Sequence, residues 1–125
     1  AISRNINNSP NSLVEANLVI LAQNLELVRS LLNTPILISS GYRSPELNKA
    51  VKGAASSQHV LGQAVDFTSP KFGTPRQIIE KIKGSNIEYD QLILEFDKWV
   101  HISFTNKTNR KQALVIDLNG TRIFS

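Results

Sequence analysis

Two histidines and an aspartate are the residues of this sequence whose types and spacing could bind a metal ion. His59 precedes Asp66 by seven residues, with Gly62 between them, and His101 lies much further along the chain. The chain has only these two histidines and no cysteine, so thiolate ligands are excluded. Two imidazoles and one carboxylate, with water in the fourth position, form a typical catalytic zinc site. The residue types therefore predict a zinc site made by His59, Asp66 and His101.

Each of these residues also has a purely structural interpretation. His59 could be a polar loop residue, and His101 could be a packed strand residue that satisfies its own hydrogen bonds. Asp66 could make a buried hydrogen bond or an ion pair with Arg43. The surroundings favour the metal, because an acid inside an apolar strand needs a cation, a donor or a metal as its partner. Both histidines also stand next to predicted strands rather than in exposed loops.

Hydrophobic periodicity predicts the elements that position these residues. A Ser12–Glu15 capping box opens a helix with apolar residues at steps of three and four, and Asn33-Thr34-Pro35 ends it. A second capping box begins at Thr74, and Asn119-Gly120 favours a type I′ hairpin turn. The predicted helices span residues 12–32, 45–51 and 75–83, and the predicted strands span 36–40 (buried on both faces), 64–68, 91–96, 99–104, 113–118 and 121–124. This order indicates an α+β fold in which an antiparallel sheet is covered on one side by helices.

Composition limits the classes of protein that the chain can be. Its 125 residues suit one domain, residues 1–125, and 41% hydrophobic content indicates a folded core. The net charge of +4 is scattered without a dense basic run, which argues against nucleic-acid binding. No apolar run reaches the roughly 20 residues needed to cross a bilayer, and residues 1–11 lack a signal-peptide pattern. We expect a monomer that does not insert into membranes.

Several motifs together resemble one family, the zinc-dependent peptidoglycan peptidases with a hedgehog-like fold. This group includes D-Ala-D-Ala carboxypeptidases, vancomycin-resistance dipeptidases and the L-alanyl-D-glutamate endopeptidases of bacteriophage lysins. The resemblance extends from about Leu13 to Phe104. The matching motifs are Ser39-Ser40-Gly41-Tyr42-Arg43-Ser44 with Leu47-Asn48, Ser57-x-His59-x-x-Gly62-x-Ala64-x-Asp66, and Trp99-x-His101.

The resemblance implies a role for each matching residue. The family's zinc ligands fall on His59, Asp66 and His101. Its substrate-binding arginine, which also favours the oxyanion, falls on Arg43, and a serine that contacts substrate falls on Ser57. The implied activity is zinc-assisted hydrolysis of a peptide bond in peptidoglycan, at the bacterial cell wall, by a phage lysin or by a periplasmic or secreted enzyme. No cofactor besides Zn²⁺ is implied.

The general base is the point at which the sequence departs from the family. Many relatives have a glutamate three residues before the last histidine ligand, where this chain has Lys98, and others have a histidine at the position of Trp99. A three-residue hairpin tip would put Glu95 on the same sheet face as His101, and a two-residue tip would leave Asp97 as the better base. The departure also supports an alternative, a zinc-binding domain that has lost hydrolysis and acts in binding or structure.

Overall fold

The fold is an α+β fold, as the sequence predicts, with two helices and a six-stranded sheet in the part of the chain that is described. The computed structural model describes residues 12–41, 58–59 and 61–125. Its elements are α1 (Ser12–Leu32), β1 (Leu37–Ser40), β2 (Ala64–Thr68), α2 (Pro75–Lys83), β3 (Gln91–Glu95), β4 (Trp99–Ser103), β5 (Gln112–Asp117) and β6 (Gly120–Ile123). The predicted helix 45–51 lies outside the described residues, and so do Arg43 and Ser57.

The six strands form one sheet in the order β1-β2-β4-β3-β5-β6. All neighbouring pairs are antiparallel except β3 and β5, which are parallel, so the sheet is mixed. Strand β4 has β3 on one side and β2 on the other, so it has no free edge. The chain after β4 crosses to the free edge of β3, where β5 runs in the same direction as β3.

One face of the sheet packs against the helices and forms the hydrophobic core. Alternate strand residues such as Phe67, Leu92 and Ile102 are fully buried there. The amphipathic α2 adds Ile78, Ile79 and Ile82, and its start carries the predicted capping box of Thr74 and Gln77. Helix α1 contributes the predicted stripe, and its buried apolar residues are Val14, Leu21, Leu25, Val28 and Leu32. The alternate residues on the opposite face, among them Ile93 and His101, are not part of this core cluster.

Two local predictions are wrong. Strand β1 is an edge strand, and Leu37 and Ile38 are 56% and 52% exposed rather than buried on both faces. The last hairpin pairs Asp117 with Gly120, so its turn is Leu118-Asn119 and not Asn119-Gly120. Gly120 takes the positive φ, 106°, while Asn119 keeps a negative one, which excludes a type I′ turn. No helix in the described ranges is long and apolar enough to span a membrane.

Candidate metal centre

The face of the sheet away from the helices carries Asp66 and His101 side by side. Asp66 on β2 pairs directly with His101 on β4, and His101 pairs with Ile93 on β3. Directly paired strand residues present their side chains on the same face. Register alone thus brings together two residues that are far apart in sequence. His101 Nδ1 lies 3.0 Å from Asp66 Oδ1.

His59 reaches the same point from the loop before β2. Its side chain is buried, and its Nδ1 donates a hydrogen bond to the Gly41 carbonyl oxygen at 2.8 Å. This bond places a proton on Nδ1 and leaves Nε2 as the ring nitrogen that faces Asp66 Oδ1, at 3.4 Å, and that would bind a metal. The rings of His59 and His101 meet edge to face, with centroids 5.1 Å apart.

The three side chains fit a zinc ion. One ligand atom from each of His59, Asp66 and His101 lies within 4.8 Å of the other two. Two ligands about 2.0–2.1 Å from a tetrahedral zinc are about 3.4 Å apart, and the two measured separations from Asp66 Oδ1 are 3.4 and 3.0 Å. The bond from His59 to a backbone carbonyl is also the support that metal-binding histidines typically have.

Asp66 is ionised in this setting, as a metal ligand must be. Partial burial raises its pKa, but hydrogen bonds with His101 and His59 outweigh burial and lower the pKa from the usual 3.8 to about 2. The carboxylate is therefore charged at neutral pH and offers an oxygen to a cation.

A second carboxylate stands next to this group. The tip of the β3–β4 hairpin has three residues, Phe96 to Lys98, with Glu95 paired to Trp99, so Glu95 shares a face with His101. The Trp99 indole Nε1–H donates to Glu95 Oε1 at 3.0 Å, and the same oxygen lies 3.9 Å from His101 Nδ1. Asp97 instead is 72% exposed and lies 3.9 Å from Arg76 Nη2 of α2. Register thus places Glu95 beside the metal group and Asp97 away from it.

Helix α1 holds the loop that carries His59, a role that the sequence did not reveal. Asn17 is buried on the apolar face of α1, and its side-chain amide donates to the Leu61 carbonyl at 2.8 Å. Gly62, with φ +71°, comes so close to α1 that a Cβ there would lie 3.0 Å from Val14 Cγ1 and 3.1 Å from the Val14 oxygen. The sequence does contain one sign of this role: Asn17 is a polar residue at a buried position of the apolar stripe of α1.

Substituting Gly62 with alanine should destabilise the protein by about 2–4 kcal/mol, because a side chain there has a strained positive φ and overpacks against α1. The loop should shift and weaken zinc binding at His59. Thermal unfolding and zinc titration measure both effects. Gly84→Ala is the matched control, since Gly84 has φ −80° and a Cβ there meets nothing closer than 3.6 Å. Equal behaviour of the two variants would show that the loop does not depend on this contact.

Asp90, directly before β3, connects the same loop to the rest of the sheet. Its buried carboxylate accepts hydrogen bonds from Arg110 Nη2 at 2.7 Å, Nε at 2.9 Å and the backbone N–H at 3.0 Å, and from Gln58 Nε2 at 3.1 Å. Gln58 directly precedes His59. Arg110 lowers the pKa of Asp90 below the usual 3.8, since its bonds outweigh burial.

Replacing Asp90 with asparagine should cost about 2 kcal/mol at neutral pH through the lost charged hydrogen bonds. Since the folded-state pKa is lowered, the stabilisation is fully present above about pH 4. It is lost as the pH falls through the lowered pKa of the folded state. The difference in unfolding free energy between the wild type and Asp90→Asn should therefore shrink below pH 4. Urea titrations between pH 3 and 7 measure it, and a constant difference would contradict the charged network.

The comparison with known proteins agrees with this geometry. The family model for Peptidase M15 matches residues 2–103, most of the chain. The protein therefore belongs to peptidase family M15, a family of zinc-dependent metallopeptidases. The match includes the whole His59, Asp66 and His101 group, which could hold the metal. No curated protein matches the chain.

Proposed function

We propose that this protein is a zinc peptidase that hydrolyses a peptide bond in bacterial peptidoglycan. The bond is the D-Ala-D-Ala terminus of a stem or a bond within the stem or cross-bridge. One observation supports the enzymatic part of this proposal: the Glu95 carboxylate lies on the sheet face that carries Asp66 and His101, 3.9 Å from His101. A purely structural zinc site needs no such carboxylate beside it.

His59, Asp66 and His101 are the residues that would hold zinc. When bound, zinc supplies a Lewis acid that polarises the scissile carbonyl and acidifies water. Glu95 then acts as the general base: it takes one proton from the attacking water and returns it to the leaving amine as the C–N bond breaks. The Trp99 N–H on Oε1 holds the Glu95 side chain in place for this transfer.

The substrate assignment is supported by the sequence motifs. Arg43 and Ser57 match the family's substrate-binding arginine and serine, and we propose that they bind the peptide, with Arg43 also favouring the oxyanion. The net charge of +4 also favours approach to an anionic cell wall. The place of action is then the bacterial cell wall, reached by a phage lysin or by a periplasmic or secreted enzyme.

Digestion of purified peptidoglycan tests the proposal. Zinc-loaded protein should release new amino termini, chelator should abolish the release, and added zinc should restore it. Mass spectrometry of the products identifies the bond, because a carboxypeptidase releases single D-Ala residues and an endopeptidase splits stems or cross-links. If fully zinc-loaded protein releases nothing, the alternative of a zinc-binding domain without hydrolysis is favoured. Lys98 at the usual base position is consistent with that alternative.

A further inference from the structure

The β5–β6 hairpin, residues 112–123, extends the face of the sheet that carries the metal group. Its strands continue the register without a break, because Ile93 pairs with Leu114 and Leu114 pairs with Ile123. One row of side chains therefore crosses five strands on one face: Asp66, His101, Ile93, Leu114 and Ile123. The hairpin lies beyond the residues that the family model matches, 2–103.

A second row runs beside the first and includes the proposed base. Glu95 pairs with Ile116, and Ile116 pairs with Thr121. The backbone N–H of Phe96 donates to the Ile116 oxygen at 2.8 Å, which fastens the hairpin next to the Glu95 end of β3. The outer end of the two rows is open to solvent, with Ile123 79% exposed, whereas Leu114 and Ile116 are half-buried and Ile93, next to the metal group, is buried. We call Leu114, Ile116, Thr121 and Ile123 the hairpin face.

The hairpin face carries no charge, which limits what it can bind. The two charged residues of the hairpin, Asp117 and Arg122, pair with each other at 2.8 Å. Arg122 is opposite Val115, a residue of the core side, so this ion pair lies on the other face of the sheet. The hairpin face therefore suits uncharged peptide residues with apolar side chains and gives charged ones no partner.

We propose that the hairpin face is a substrate-binding surface that selects long substrates. It would take an uncharged, extended segment of the peptide on one side of the scissile bond. Neighbouring strands are about 4.8 Å apart, so the three steps from His101 on β4 to Ile123 on β6 span about 14 Å. An extended peptide covers that distance with about four residues. The inference rests on the proposed function and adds to it that the preferred substrate has several residues on this side of the cleaved bond.

Calorimetry on a zinc-loaded Glu95→Gln background, which holds substrate without turning it over, tests this surface. The probes are a purified cross-linked dimeric muropeptide and the dipeptide D-Ala-D-Ala. Adding Ile123→Ser should weaken dimer binding roughly fivefold, which corresponds to about 40 Å² of lost apolar contact at about 25 cal/mol/Å², and should leave dipeptide binding unchanged. Leu118→Ser is the matched control, since Leu118 is 97% exposed in the turn and outside both rows. It should change neither affinity.

Three outcomes would overturn the inference. Dimer affinity within twofold of the parent after Ile123→Ser would show that the hairpin face does not contact substrate. If Ile123→Ser weakens binding of the dimer and of the dipeptide equally, the substitution acts at the metal group. If Leu118→Ser weakens dimer binding as much as Ile123→Ser does, the effect is non-specific. Digestion of peptidoglycan by the wild type is scored separately. If the wild type cleaves peptidoglycan and Ile123→Ser binds like the parent, only this inference fails, whereas a wild type that neither cleaves nor binds refutes the proposed function with it.

Discussion

Substitution of Glu95 by glutamine should lower kcat by about 100- to 10,000-fold, the usual contribution of a general base. Glutamine keeps the shape of the side chain and can still accept the Trp99 N–H bond, which is 3.0 Å long in the wild type. It cannot take a proton from water at neutral pH. Because Glu95 is not one of the three side chains that could hold the metal, the variant should retain one equivalent of zinc. Single-turnover assays on purified muropeptides, with metal analysis of the same samples, measure both quantities.

Asp97→Asn is the control for this prediction, since Asp97 is the other carboxylate of the hairpin tip. Its side chain is 72% exposed and is directed to Arg76, so its loss should change kcat by less than twofold. Full activity in Glu95→Gln, or a large loss in Asp97→Asn, would refute Glu95 as the base. A loss of zinc in Glu95→Gln would mean that Glu95 supports the metal instead.

Asp66→Asn should remove most of the bound zinc. The carboxylate has a pKa of about 2 and is the negative charge that both histidines contact, at 3.0 and 3.4 Å. An amide keeps the size of the side chain but brings no charge to the cation. We expect zinc affinity to fall by more than about 100-fold, because loss of a residue that merely orients a ligand already costs about 10- to 100-fold. Competition with a chromophoric chelator measures the affinity, and circular dichroism checks the fold.

The same chemical change at Asp97 should leave zinc affinity unchanged, since Asp97 is exposed and lies away from the metal group. A full equivalent of tightly bound zinc in Asp66→Asn would contradict the role of Asp66. Weak binding in both variants would point to a general effect of charge and not to a ligand.

The sequence predicted the elements well where local chemistry determines them. The α1 stripe, the Thr74 capping box and the strands that carry Asp66 and His101 all depend on short-range periodicity and capping, and they agree with the structure. The three residues that could hold a metal could also be selected from the sequence, because a chain with two histidines and no cysteine offers few combinations.

The position of Glu95 could not be decided from the sequence, because tertiary contacts determine the hairpin tip. Phe96 and Asp97 both have positive φ, 56° and 54°, although neither is glycine. Aspartate tolerates that region but a bulky residue such as Phe96 disfavours it, so local propensity does not predict this three-residue tip. The Phe96 N–H donates a hydrogen bond to the Ile116 oxygen of β5 at 2.8 Å, a tertiary contact that holds the tip. The parallel pairing of β5 with β3 and the exposure of the edge strand β1 also depend on the order of strands in the sheet. Hydrophobic periodicity along the sequence does not reveal that order.

Diffraction at the zinc absorption edge tests the central claim most directly. Crystals of the zinc-loaded protein should show one strong anomalous peak, about 2.0–2.2 Å from His59 Nε2, His101 Nδ1 and a carboxylate oxygen of Asp66. The peak should vanish in crystals of Asp66→Asn grown at the same zinc concentration. A zinc ion bound elsewhere on the protein, with these three side chains free of it, would contradict the account.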